Sequence, residues 1–415
     1  MASQNLPLVT CPFLMSKSQS NLLVYLSFAT FIIMSIPSGM LGVAWPSMQE
    51  TFGVSLDALG TLLLVGTIGH ISMSFLSGWL NERLGMGTYM LLNSILMLLG
   101  LLGYAFSPSW WLLVAVGLIG GAGTGALDSG LNAYFAANHN ARLMNWLHAS
   151  FGLGVTMGPI IMTAVLTRNL SWRIGYWVAV GLQLLLVLLF ATTRHRWPRA
   201  VAAGEGELEG GETAVSASAI FRMGIIWLSM GVFFFTAGTE GAMGNWAFTL
   251  FSEGRGVAVA TAGLWTSVYW GSFTVGRIFY GLFADRMETN QLLRLNMIAI
   301  VVGALFIWLN LANWLSFVGL VVVGFALAPI FPLLVLQTPK RISARFANSA
   351  VGFQVGAAGL GLSILPAITG IVGERFGLEA IGLSLLLWSL LLMGLHEWII
   401  GHVRRKRKEK TAVLE

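Results

Sequence analysis

The sequence has little charge and almost no cysteine. Only 10% of its 415 residues are Asp, Glu, Lys or Arg, against about 25% in an average soluble protein. A soluble chain of this length needs charged side chains to cover its surface, so the composition excludes a set of soluble domains. The single cysteine, Cys11, excludes an intrachain disulfide framework and any metal site built from several cysteines.

Motifs typical of soluble enzymes and ATP-driven pumps are also absent. The sequence has no G-x-x-x-x-G-K-[ST] loop, no zinc-binding spacing and no polar stretch long enough for a catalytic domain. We therefore expect neither an enzyme nor a bound cofactor or metal. The net charge of +6 does not indicate nucleic acid binding either, because the basic residues lie where they orient a membrane protein.

Hydrophobic residues make up 56% of the chain and occur in long continuous runs. A run of about 20 apolar residues can cross a bilayer as a helix. Continuous runs, rather than alternating ones, argue against a transmembrane β-barrel. The sequence predicts an all-α membrane protein with twelve transmembrane helices. These are residues 21–45, 56–79, 87–106, 109–136, 145–167, 174–193, 219–250, 257–284, 290–310, 313–337, 346–372 and 378–402.

The basic residues predict how the helices are oriented. An even number of crossings places both termini on one side, and 18 of the 23 Lys and Arg residues fall on that side. Cytoplasmic loops carry the excess of Lys and Arg. We therefore expect a multi-pass protein of the cell (inner or plasma) membrane with both termini in the cytoplasm.

One long polar stretch, residues 194–218, interrupts the apolar runs and is rich in Gly and Glu towards its end. Such a composition is typical of a flexible linker rather than a domain. It separates a predicted N-terminal six-helix bundle, residues 1–193, from a C-terminal six-helix bundle, residues 219–402. Residues 403–415 form a basic cytoplasmic tail. We expect a monomer surrounded by the lipid bilayer.

A loop motif of the form Gly-x-x-x-acid-Arg follows the second and the eighth predicted helices. Its two copies, 203 residues apart, are Gly78, Glu82 and Arg83 and then Gly281, Asp285 and Arg286. With twelve helices and a central linker, this paired motif resembles the major facilitator superfamily. The resemblance implies two pseudo-symmetric six-helix bundles that rock around a central site. We predict that the motif residues and Arg277 act in gating.

A few ionisable residues lie inside the predicted helices. A charge in the hydrocarbon region costs at least about 2.5–3.5 kcal/mol, so each of these residues is expected to have a structural or functional role. Asp128, Glu240 and His148 are predicted to take part in proton coupling, although each could instead be held by fixed structural partners. The same alternative is favoured for His70. For Arg277 we consider a bracing role in its own helix or an ion pair with Asp128.

Amide and aromatic residues accompany these acids. Asn132 lies four residues after Asp128, which places the two on one face of a helix. Carboxylates and amides bind sugar hydroxyls, and an indole ring can stack on the C–H face of a pyranose. The predicted substrate-binding residues are Asn132, Asn245, Trp246 and Gln354. An interfacial position in the membrane is the alternative for Trp246.

Two short segments resemble the fucose–galactose–proton symporter family and its sodium-coupled glucose relatives. They are Asp128-Ser-Gly-Leu-Asn132 and the stretch from Leu147-His148 to Gly154. The resemblance implies a symporter that moves a sugar or similar small polar solute inward, coupled to a proton or sodium ion. Asp128 would then be the coupling carboxylate.

A third segment favours a different transporter. Gly154-Val-Thr-Met-Gly158-Pro159 is similar to a motif of drug–proton exchangers. It implies an antiporter that exports drugs or hydrophobic metabolites, in which Asp128 and Glu240 alternate between proton and drug. Close helix packing with a proline kink is the structural alternative for this segment.

Overall fold

The structure is a computed structural model that describes residues 17–198, 222–283, 288–342 and 344–412. These residues contain α-helices and no β-strand. The helices are α1 (Lys17–Phe52), α2 (Ala58–Leu84), α3 (Met86–Phe106), α4 (Trp110–Asn138), α5 (Ala141–Leu166), α6 (Arg173–Thr193), α7 (Gly224–Thr249), α8 (Val259–Phe283), α9 (Thr289–Leu309), α10 (Asn313–Leu327), α11 (Ile330–Arg341), α12 (Ala344–Phe376) and α13 (Ala380–Ala412).

These helices form twelve membrane crossings in the described part of the chain, as the sequence predicts. Eleven segments are long and apolar enough to span a bilayer, and α10 with α11 counts as one of them. The twelfth crossing is α8, which has 25 residues. Its Trp, Tyr, Ser, Thr and Arg residues lower its mean hydropathy, but it packs against α5 and α10 inside the protein. The predicted all-α membrane fold is confirmed.

The tenth crossing contains a break that the sequence prediction missed. The run 313–337 was expected to be one continuous helix, but α10 ends at Leu327 and α11 begins at Ile330. Pro329 lies at the break and has no backbone N–H to continue the helical hydrogen bonds. At the other end of the chain, α13 runs on to Ala412 and so includes much of the predicted tail.

The two halves of the chain repeat one packing pattern. In the first half α1 packs against α5, α2 against α4, and α3 against both α4 and α6. In the second half α7 packs against α12, α8 against α10, and α9 against both α10 and α13. Each pair in the second half is the first-half pair shifted by six crossings. This repetition is the pseudo-symmetry expected of two six-helix bundles.

The halves meet along three helix pairs: α1 with α7, α2 with α12, and α5 with α8. We call the end of the protein where α1 begins and α13 ends the terminal side, and the opposite end the far side. On the far side a Cβ atom at Gly42 would lie 2.6 Å from the carbonyl oxygen of Gly244, and one at Gly60 would lie 2.5 Å from the Cβ of Ala367. The backbones approach this closely because glycine has no side chain.

The terminal side lacks such contacts at the two glycines of the loop motif. A Cβ atom at Gly78 or Gly281 would meet no other atom within 4 Å. Among the described residues the close approaches between the halves therefore concentrate towards the far side. In alternating access this arrangement exposes a central site to the terminal side.

Candidate functional site

The first group of polar side chains within the membrane, the α4 cluster, consists of His70, Asp128 and Asn132. The Asn132 side-chain amide donates a hydrogen bond of 3.0 Å to the Asp128 carboxylate. Both side chains are partly exposed. The structure thus brings together the acid and the amide that the four-residue spacing predicts on one face of α4.

Glycines in α4 explain how His70 joins this cluster. A Cβ atom at Gly125 would collide with the backbone of His70, so α2 and α4 can pack this closely only at a glycine. The hydroxyl of Ser74 also donates a hydrogen bond of 3.2 Å to the Gly125 carbonyl. This packing brings His70 close to Asp128.

The second group, the central cluster, consists of His148 on α5, Glu240 on α7 and Arg277 on α8. The charge of Arg277 interacts with both Glu240 and His148. The guanidinium lies 4.5 Å from the centre of the Phe273 ring. Its buried Nε atom has no hydrogen-bond partner among the described residues. The cluster therefore contains a cationic group with an unused donor.

Contacts between α5 and α8 fix the position of this cluster between the two halves. A Cβ atom at Gly152 would lie 2.5 Å from the Thr274 hydroxyl, and the hydroxyls of Thr156 and Thr274 lie 3.4 Å apart. His148 lies one helical turn from Gly152 towards the terminal side, and Arg277 lies about one turn from Thr274 in the same direction. The two side chains are consequently neighbours across the boundary between the halves.

The predicted ion pair between Asp128 and Arg277 does not form in this conformation. Within the described residues the ion pairs are Arg255 with Glu379 and Arg294 with Glu397. Asp128 interacts electrostatically with His70 on its own half, whereas Arg277 interacts with Glu240. The alternative for Arg277, bracing against Asp285, falls on a residue outside the described range.

Two of the predicted substrate-binding residues are fully used in packing. Trp246 is completely buried and donates a hydrogen bond of 2.8 Å from Nε1 to the Pro366 carbonyl. Gln354 is also completely buried, donates to the Ser229 hydroxyl and accepts a hydrogen bond of 2.9 Å from Thr338. The structure does not bring either side chain to a space between the halves. Their predicted contact with substrate stays a prediction.

Asn245 and Glu240, by contrast, remain partly exposed on α7. The Asn245 amide nitrogen donates a hydrogen bond of 2.8 Å to the Gly241 carbonyl, which leaves its amide oxygen free to accept. Backbone atoms of Asn245 also lie next to Gly42 of α1. Asn245 therefore lies where the two halves meet, and its contact with substrate stays a prediction.

The described residues of the loop motif form no ion pair in this conformation. In the first copy, Glu82 and Arg83 are both exposed, and neither takes part in an ion pair among the described residues. In the second copy, Gly281 is exposed, while Asp285 and Arg286 lie outside the described range. The exposure of these described residues agrees with the concentration of close contacts between the halves at the far side.

The segment that is similar to the drug-exchanger motif serves helix packing. A Cβ atom at Gly154 would collide with the backbone of Ile32, and one at Gly158 with the backbone of Ile36. Both glycines therefore face α1 of the same half, and Pro159 lies within α5. This geometry favours the packing interpretation of the segment.

Sequence reasoning missed Tyr269 as a neighbour of the site. Its hydroxyl donates a hydrogen bond of 3.0 Å to the backbone carbonyl of Glu240 and so joins α8 to α7 beside the central cluster. The available signal was the low hydropathy of α8 itself. A transmembrane helix rich in polar and aromatic residues is expected to face protein or a polar space rather than lipid.

The comparison with protein families agrees with this geometry. The sequence profile of the Major Facilitator Superfamily matches residues 26–366. The chain belongs to this superfamily. The predicted membership is therefore confirmed, and with it a multi-pass membrane protein of the transporter class.

Several curated proteins are similar over most of the chain. The sodium-dependent glucose transporter 1A of Mus musculus is 22% identical over 397 residues, covering 84% of this chain and 89% of its own. The glucose/mannose transporter GlcP of Bacillus subtilis (strain 168) is 21% identical and covers 94% of this chain and 96% of its own. The class B tetracycline resistance protein of Escherichia coli is 26% identical, with 88% of each chain covered.

Solved structures show the same fold. The nucleoside transporter NupG matches with a TM-score of 0.70 and 17% identity, covering 92% of this chain and 99% of its own. A D-xylose–proton symporter matches with a TM-score of 0.71 and 15% identity, covering 91% of this chain and 97% of its own. These superpositions establish the fold shared by the three proteins.

Proposed function

We propose that this protein is a cation-coupled symporter that moves a sugar or a similar small polar solute by alternating access. The observation that carries the proposal is the Asp128–Asn132 pair, a carboxylate bonded to an amide within a transmembrane helix. Such groups offer the acceptors and donors that sugar hydroxyls need. Two of the relatives above are named as glucose transporters, and one structural neighbour is a xylose–proton symporter.

In this proposal Asp128 carries the coupling cation, either a proton or a sodium ion. A carboxylate within a membrane helix is expensive to keep charged, so loading a cation neutralises it and favours the movement of the half that contains it. Asn132 holds the carboxylate in place, while Glu240 and Asn245 supply polar contacts from the opposite half. A solute bound between the halves contacts both of them. Its binding is therefore coupled to the movement of one half relative to the other.

We further propose that the terminal side faces the cytoplasm of a cell (inner or plasma) membrane. The support is the distribution of basic residues, most of which lie on the side of the termini. The arrangement described above, closed at the far side, is then the inward-facing conformation of a monomer. Reporter fusions at the two termini that became accessible from outside the cell would contradict this orientation.

A proton-coupled exporter of drugs or hydrophobic metabolites is the second candidate. The observation that favours it is the 26% identity to a tetracycline resistance protein. The glycines of the segment similar to the exchanger motif face α1, however, and give this candidate no separate support. Tetracycline efflux from loaded vesicles under a proton gradient, with no sugar uptake, would favour the exporter.

The test of the proposed function is sugar uptake into proteoliposomes under an imposed inward proton gradient, with a sodium gradient tested separately. Asp128→Asn removes the titratable group but keeps the size and the bond to Asn132. We expect the variant to lose gradient-driven accumulation and to retain counterflow exchange. Accumulation equal to wild type would remove Asp128 from coupling, and no uptake under either gradient would refute the symporter.

A further inference from the structure

The guanidinium of Arg277 lies in the last third of α8, and among the described residues it forms no direct ion pair. A cation at membrane depth is unfavourable unless an opposite charge or hydrogen-bond acceptors lie close to it. Arg277 rests on the ring of Phe273, and its Nε atom has no partner among the described residues. Its planar, multidentate donor group suits recognition of a carboxylate or phosphate.

The position of Arg277 suits contact with a transported solute. Arg277 belongs to the second half of the protein and its neighbour across the α5–α8 contact, His148, belongs to the first. His148 packs edge-on against Phe31 at a ring-centre distance of 5.9 Å. An anionic group held between the guanidinium and the imidazole would therefore bind both halves at once.

The protonation state of Glu240 affects how strongly Arg277 binds an anion. The acidic group near Arg277 is Glu240. The other titratable groups near these two residues are Tyr269 on α8 and His148 on α5. When Glu240 is ionised it supplies the negative charge that Arg277 needs. When Glu240 takes up a proton that charge is lost, and Arg277 gains more from binding an anion brought by the solute.

We propose that Arg277 and His148 recognise an anionic group on the substrate, which is a monosaccharide bearing one carboxylate or phosphate. This inference rests on the proposed sugar symport. Glu240 accepts one proton as the anion binds Arg277, and both are released on the terminal side. For a monocarboxylate this proton balances the charge of the anion, so the net charge moved is that of the coupling cation on Asp128.

The experiment measures uptake into proteoliposomes of D-glucuronate, D-glucose 6-phosphate and D-glucose, each under an inward proton gradient. D-glucuronate uptake is also measured with the membrane potential clamped at several values. We expect accumulation of an anionic sugar, with the glucuronate rate rising as the vesicle interior is made more negative. Arg277→Gln is expected to lower kcat/KM for the anionic sugar at least about tenfold. Arg277→Lys is expected to retain more activity, since it keeps the charge but not the planar fork.

Arg142→Gln is the matched control, because Arg142 is exposed at the start of the same α5 that carries His148. Its uptake of the anionic sugar is expected to equal that of wild type. Size-exclusion profiles and unfolding temperatures establish that each variant is folded. The wild-type comparison of the three sugars decides the substrate class even if Arg277→Gln fails to fold.

The outcomes separate this inference from the proposed function. Accumulation of D-glucose without either anionic sugar would overturn the inference and leave sugar symport intact. Accumulation of none of the three would count against sugar symport itself. Equal uptake of the anionic sugar by wild type and a folded Arg277→Gln variant would remove Arg277 from recognition.

Discussion

The carboxylate of Glu374, near the end of α12, accepts a hydrogen bond of 2.8 Å from the backbone N–H of Leu56, just before α2. The two residues belong to different halves, so this hydrogen bond joins the halves at the far side. Glu50 and Glu253 line the same depression between the halves. The far side is therefore held by one charge-assisted bond beside the close backbone contacts of the glycines.

Removing the Glu374 carboxylate is expected to loosen the far side, because a hydrogen bond to a charged group contributes about 1.5–3 kcal/mol. We expect Glu374→Ala to raise several-fold the rate at which a membrane-impermeant thiol reagent labels Ser47→Cys from the far side. Replacing Cys11 by Ser leaves Ser47→Cys as the single thiol. Arg375→Ala, the exposed neighbour on α12, is the control and is expected to label at the original rate. Equal rates in the two variants would mean that the bond does not hold the far side closed.

A side chain at Gly42 is expected to disfavour the conformation described here. A Cβ atom there would come within 2.6 Å of the Gly244 carbonyl oxygen, and backbone cannot move aside as a flexible side chain can. Gly42→Leu should shift the protein towards a state open at the far side and lower uptake by at least about tenfold. Double electron–electron resonance between labels on the far ends of α2 and α12 measures the separation. Gly181→Leu, where a Cβ atom meets nothing within 4 Å, should leave both the distance and the uptake unchanged.

The role of Trp246 can be separated into packing and binding. Trp246→Phe keeps an aromatic ring but removes the hydrogen bond to Pro366. If the indole serves packing, the variant should lose about 1 kcal/mol of stability with an unchanged KM for substrate. Thermal unfolding in detergent and uptake kinetics provide the two readouts. A large rise in KM at unchanged stability would instead support the sequence-based prediction of substrate contact.

Arg255 and Glu379 form an asymmetric ion pair at the far side. The Arg255 side chain is 2% exposed and Glu379 is 48% exposed. Arg255 also donates 2.9 Å and 2.7 Å hydrogen bonds to Ser316 and to the Ile307 carbonyl. Arg255→Met should therefore destabilise the protein by about 2–4 kcal/mol, since it leaves buried acceptors without donors. Glu379→Gln should lower the stability of the protein by no more than about 1 kcal/mol. Thermal unfolding measures both variants, and an equal fall in their unfolding temperatures would contradict the expected difference.

Features set by local geometry could be predicted from the sequence. The twelve crossings follow from the length of each apolar run, and even α8 was predicted although its hydropathy is low. The Asp128–Asn132 bond depends only on the spacing of two residues within one helix. The glycine segment from Gly154 to Gly158 was interpreted in two ways, because spacing alone does not say which helix the glycines face.

Features set by tertiary contacts could not be predicted. The donor of Trp246 finds its acceptor at Pro366, 120 residues away, so nothing near Trp246 in the sequence distinguishes packing from substrate contact. The same applies to Gln354, whose partner Ser229 lies on another helix. Whether Asp128 pairs with Arg277 also depends on tertiary contacts. In the conformation described here Arg277 lies near Glu240 of the adjacent helix α7 instead.

The close contacts of Gly42 with Gly244 and of Gly60 with Ala367 have a thermodynamic consequence. When the halves separate there, they expose backbone groups and small side chains rather than large apolar ones. Exposure of apolar surface raises the heat capacity, whereas exposure of polar surface lowers it. We therefore expect the opening of the far side to have a small heat-capacity change. Its enthalpy would then be nearly constant with temperature, and a van 't Hoff plot of the open-to-closed ratio should be close to a straight line.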